Sequence, residues 1–182
     1  MRKFNAVLSV IMIGLFLYHA LAGSGLLTGL TGFSPLSATL PSIILAILTG
    51  LHIIVGIKLT VDTLAAQKRS GAGYFRENRL FWLRRISGYA LILLLAAHIF
   101  GMTGETVDGS YIPHTYTLPL LLCDLILAAA LMLHLSVNIK PLAQSFGFNA
   151  GKGVLTVTAV VLSAVLIVSG AAFIIYFAGW QT

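Results

Sequence analysis

Four histidines, His19, His52, His98 and His134, each fall in a different apolar stretch of the chain. An imidazole is costly to place in lipid and is rarely idle there. Two imidazoles facing each other at one depth are what a low-spin haem requires, one ligand above the ring and one below. Asp124 is the one acid well inside an apolar stretch, and an ionisable group at such a place is a functional candidate by default, as a proton relay. Its rival role is a capped polar bond within the protein. Arg84, Arg85 and Ser87 form a third cluster, suited to haem propionates because arginine binds carboxylates bidentately and keeps its charge. The alternative for the arginines is a simple anchor at the membrane surface. His114 follows Pro113 in a polar connection and is expected to be solvated.

A single cysteine, Cys123, narrows the chemistry further. It permits no internal disulfide, no cysteine-ligated iron–sulfur cluster and no Cys-x-x-Cys-His attachment. Any haem is therefore expected to be the non-covalent b type.

The elements that must position these residues are legible in the composition. Of 182 residues, 58% are hydrophobic and 9% charged, against roughly 25% charged in a soluble domain. The expectation is an all-α integral membrane protein forming one domain over residues 1–182. Apolar runs at about 4–22, 39–59, 81–103, 117–139 and 154–178 are each near the ~20 residues that span a bilayer. Backbone polarity makes them helices. Pro41 and Pro119 suit first helical turns, and Pro141 is expected to follow the end of the fourth span. Met1-Arg2-Lys3 resembles the start of a signal peptide, but the following run ends in Gly23-Ser24-Gly25, so no cleavage is expected.

Charge sets the orientation. The eleven basic residues lie at the N-terminus, in the second or fourth loop, or at the span ends beside them. The first and third loops have none, and the third carries Glu105 and Asp108. The N-terminus is then cytoplasmic and the C-terminus outside, with Trp82 and Trp180 at opposite interfaces. At ~1.5 Å per residue, His19 and His98 lie roughly 22 and 25 Å from the cytoplasmic side. His52 and His134 lie roughly 12 and 5 Å from it. These depths define an outer pair and an inner pair. Gly23, Gly56 and Gly101 fall three or four residues after His19, His52 and His98, on the same helix faces, where they leave room for a flat macrocycle.

Tyr74-Phe75-Arg76, Arg85-Ile86-Ser87-Gly88 and His98-Ile99-Phe100 resemble the membrane cytochrome b subunit of succinate dehydrogenases and fumarate reductases, in its five-helix, two-haem form. Gly14-Leu15-Phe16-Leu17-Tyr18-His19, His52-Ile53-Ile54-Val55-Gly56 and Ser145-Phe146-Gly147-Phe148 are similar in character. The resemblance implies one haem ligand from each of the first four helices: His52 and His134 to a proximal haem, His19 and His98 to a distal one. It further implies two haem b and a quinone substrate, menaquinone by family type, with Asp124 as a proton relay or quinone contact near the distal haem. The implied partners are a flavoprotein (FAD) subunit and an iron–sulfur subunit on the cytoplasmic face of a bacterial inner membrane. Such a chain relays electrons and holds no dicarboxylate site of its own. Arg76 and Arg79 would dock the soluble partner or lipid headgroups. The chain departs from the family pattern in having no carboxylate between Gly23 and Leu59, where some members carry a glutamate for the quinol proton. Two alternatives stand beside this reading: the cytochrome b anchor of a hydrogenase or formate dehydrogenase, and a haem-free membrane scaffold or transporter.

Overall fold

The computed structural model describes residues 1–29, 35–71, 79–107, 110–149 and 151–180. Arg76, the Tyr74-Phe75-Arg76 stretch and Asp108 lie outside them, as does the side chain of Trp180. Five helices follow in order: α1 (Arg2–Leu27), α2 (Pro35–Ser70), α3 (Arg79–Gly101), α4 (Leu118–Ser145) and α5 (Lys152–Trp180). All five are long and apolar enough to cross a membrane. Their outward faces carry exposed Leu, Ile, Val and Phe, while Ser24, Thr60, Ser87, Asp124 and Ser169 are buried. Polar groups inside and hydrocarbon outside is the pattern lipid demands.

Packing runs α2–α1–α5–α4–α3, with α1 also touching α4, so α5 clasps α1 and α4 from outside. The two ends of the bundle differ. One carries the chain start, Lys68, Arg69, Arg79, Lys140 and Lys152, and is here called the basic end. The other is capped between α3 and α4 by an antiparallel hairpin, β1 (Gly104–Val107) and β2 (Ser110–Pro113).

That hairpin is absent from the sequence reading, although Asp108-Gly109 flanked by Thr106-Val107 and Tyr111-Ile112 is a hairpin signal. Gly104 is required there, because a Cβ would overlap the Ile112 carbonyl. The Tyr111 hydroxyl donates to the Met102 carbonyl and pins the hairpin to the end of α3.

Helix limits also differ from expectation. The 36 residues of α2 span about 54 Å at 1.5 Å each, well beyond the ~30 Å of hydrocarbon. Its last turns carry an exposed Lys58–Asp62 pair at 3.3 Å and then Lys68 and Arg69. Pro41 is not in the first turn of α2, since Pro35 begins the helix and takes the place where a missing N–H is harmless.

Pro141 does not end α4 either. The helix runs through it to Ser145 and stops at Gly147, whose φ of 81° lets Phe148 N–H reach back to the Ala143 carbonyl. A proline within a helix leaves the carbonyl four residues earlier without its donor. Here that carbonyl belongs to Val137, and Arg84 of α3 donates its Nε–H to it at 3.0 Å. Arg84 thus repairs the break and ties α3 to α4.

This repair predicts a specific coupling. Arg84→Leu should lower thermal stability in detergent by about 1–3 kcal/mol, the cost of a lost charged hydrogen bond and a stranded acceptor. In a Pro141→Ala background, where residue 141 regains its amide, the same substitution should have little effect. Equal losses in both backgrounds, measured by thermal unfolding, would contradict the assignment.

Candidate functional site

The four histidines sit one on each of α1 to α4, and α5 has none. Each is partly buried. On α3 the inward positions Arg84, Ser87, Leu91, His98 and Gly101 follow three- and four-residue spacing, and on α4 so do Leu121, Asp124, Leu127 and His134. The two helices meet in one antiparallel register. Arg84 faces Val137, Ser87 faces His134, His98 faces Asp124 and Gly101 faces Leu120.

The hydrogen inventory around three imidazoles fixes their tautomers. Ser42 Oγ donates its one hydrogen to the Ala38 carbonyl at 2.6 Å, so toward His19 Nδ1, 2.8 Å away, it acts as acceptor. Ser87 Oγ donates to the Arg84 carbonyl at 3.2 Å and accepts from His134 Nδ1 at 3.0 Å. Asp124 Oδ1 lies 2.9 Å from His98 Nδ1, and an ionised carboxylate only accepts. In each case Nδ1 carries the proton and Nε2 is left with its lone pair. Metal-binding histidines are prepared in this way, with the second nitrogen donating to a carboxylate, carbonyl or hydroxyl.

His19 and His98 come together with ring centroids 6.1 Å apart and planes at 89°. Two imidazoles on opposite sides of one metal ion, each bound through nitrogen at about 2 Å, would hold their centroids roughly 6 Å apart. Phe173 of α5 packs edge-on to His98 at 6.0 Å. At the basic end, His134 stands against Ser87 and Gly88 of α3, and His52 is carried by α2. His52 Nδ1 is buried and has no hydrogen-bond partner among the described residues. Arg85 stacks over Phe81, with Cζ 5.1 Å from the ring centroid.

The residues present fit a haem held between His19 and His98, each with an Nε2 lone pair unused among the described residues; at the basic end His134 offers another and His52 an orphaned ring nitrogen. Among the described residues no three His, Cys, Asp or Glu side chains converge, so an all-protein metal cage is not formed. A bis-imidazole haem needs only two protein ligands per iron.

The structure places the remaining sequence candidates as follows. Asp124 is almost completely buried, and both its oxygens are engaged, Oδ1 by His98 and Oδ2 by the Tyr116 hydroxyl at 2.7 Å. Burial and the bond to Asp124 push the Tyr116 phenol pKa up, which keeps it a donor. Ser87, read as a propionate anchor, bonds His134, and Arg84 uses its Nε on Val137. Gly23 and Gly56 face open space. Gly101 does not: a Cβ there would lie 3.3 Å from Leu120, so this glycine serves close packing of α3 on α4 rather than room for a macrocycle. Gly88 is the glycine that meets a ligand candidate, with its virtual Cβ 3.4 Å from His134 Cε1. His114 is exposed.

Ser42 and Tyr116 were missed in the sequence. Ser42 lies inside α2 and meets a histidine of α1, and Tyr116 lies just before α4, so only the fold reveals their partners.

No family model, curated protein or solved structure matches the chain.

Nitrogen NMR of the haem-free protein, labelled at histidine, should show His19, His98 and His134 protonated at Nδ1, with Ser42→Ala releasing His19 alone. Nε2 protonation at His19 or His134 in the unsubstituted chain would contradict the hydrogen inventory. Gly88→Ala should be tolerated, whereas Gly88→Leu should displace the His134 ring and destabilise the bundle by about 1–3 kcal/mol through overpacking.

Proposed function

We propose that this chain is the membrane-anchor cytochrome b subunit of a succinate dehydrogenase or fumarate reductase. The observation that carries the reading is the His19–His98 pair, 6.1 Å apart at right angles, with both Nδ1 atoms held from neighbouring helices. The distribution of one histidine on each of α1 to α4 and none on α5 supports the same reading.

His19 and His98 hold the haem b nearer the hairpin end, and His52 and His134 the one nearer the basic end. Arg85, beside the second pair, neutralises propionates, helped by the terminal nitrogens of Arg84. When bound, haem b ligated on both sides has no open position and transfers single electrons. The helices fix the imidazoles, exclude bulk water with their apolar faces and set the two sites at different depths. The basic end faces the cytoplasm of a bacterium, and its arginines and lysines receive an iron–sulfur subunit joined to a flavoprotein. Quinone in the bilayer, menaquinone by the family type, takes up two electrons and two protons to become quinol, or releases them in reverse. The interconversion of succinate and fumarate belongs to the partners.

The test is purification of the tagged chain from native membranes. The proposal expects co-purifying flavoprotein and iron–sulfur subunits, and a b-type difference spectrum that a naphthoquinol reduces and fumarate reoxidises. Co-purification with a nickel or molybdenum dehydrogenase would move the chain to the hydrogenase or formate dehydrogenase type. A colourless chain would leave a scaffold or transporter.

A further inference from the structure

One imidazole differs from the others in the chemistry of its partner. His19 and His134 each face a serine hydroxyl, whereas His98 faces a carboxylate. Asp124 is buried with its side chain 2% exposed, and it lies far from every basic side chain in the sequence. No Lys or Arg occurs from Phe4 to Ile57, from Ile86 to Ile139, or after Lys152. A buried anion persists only where hydrogen bonds and a positive partner compensate it. Tyr116 supplies one hydrogen bond and is itself fully buried, packed edge-on to Tyr176 at 5.5 Å and Phe177 at 6.4 Å. His98 supplies the other. The positive partner is either the His98 imidazole itself when protonated or a cation that His98 binds through its remaining nitrogen.

We propose that Asp124, held by Tyr116, is a positioning residue that raises the donor strength of His98 and favours the oxidised, more positive form of the iron bound there. The inference rests on the haem reading above and assigns to the hairpin-end site a control that the basic-end site lacks. It acts through a chain of three contacts. The Asp124 carboxylate accepts from His98 Nδ1, which concentrates electron density on the imidazole. The Tyr116 hydroxyl draws part of the carboxylate charge away from that bond. The two side chains therefore act in opposite senses on one ring.

The opposition makes the test sharp. Asp124→Asn removes the negative charge and should shift the reduction equilibrium of one haem about tenfold toward the reduced form, equivalent to about 59 mV for one electron. The other haem should not move. Tyr116→Phe leaves the carboxylate wholly directed at His98 and should shift the same haem toward the oxidised form. Both are read by redox titration of the purified complex at the b-type absorbance. Unchanged potentials in a normally pigmented Asp124→Asn protein would overturn the inference while leaving the haem reading intact. If Asp124→Asn loses its pigment, Tyr116→Phe decides alone: a shift toward the reduced form, or none, refutes the proposal. An unsubstituted chain without b-type absorbance would refute both.

Discussion

The antiparallel register of α3 on α4 is the constraint on which the rest of the structure depends. Four contacts are set by it at once: Arg84 on the Val137 carbonyl, Ser87 on His134, His98 on Asp124, and Gly101 under Leu120. A slip of one residue would turn each side chain about 100° around its helix and break all four. Within a membrane such polar contacts specify the register, because the apolar faces pack almost as well on lipid as on each other. Gly101 lets the backbones approach at the hairpin end, and the Arg84 bond holds them at the basic end.

Within that frame the chemistry of the imidazoles follows from counting hydrogens. A helical serine has one, and Ser42 and Ser87 each give theirs to a backbone carbonyl of their own helix. Facing a histidine, each can only accept. The folded chain therefore presents Nε2 lone pairs without needing charge to do so, which suits a ligand site in a medium hostile to charge. Asp124 is the exception, and its buried position opposite His98 makes the two ends of the bundle chemically unequal.

Much of the fold was legible because lipid imposes simple rules on sequence. Five helices long and apolar enough to span were readable from run length alone, since a bilayer admits few alternatives. The limits were not. Proline normally stops a helix, yet α4 continues past Pro141 because a side chain on a different helix replaces the missing donor. Nothing local to residue 141 announces that arginine. The histidines announced themselves by type and depth, but Ser42 and Tyr116 did not, since a serine inside a helix and a tyrosine at a loop end are unremarkable. Gly101 was misread for the same reason: three residues after His98 it shares that face, and only the position of Leu120 decides what the gap admits. Asp108-Gly109, by contrast, is a hairpin signal that the sequence carries locally.

The most direct measurement is the ratio of haem to polypeptide in the purified full chain and its histidine variants. The account predicts two b haems per chain, one in His98→Ala, one in His52→Ala, and none when both are replaced. A chain that stays colourless with ample haem supplied, or a double variant that keeps its full pigment, would contradict it.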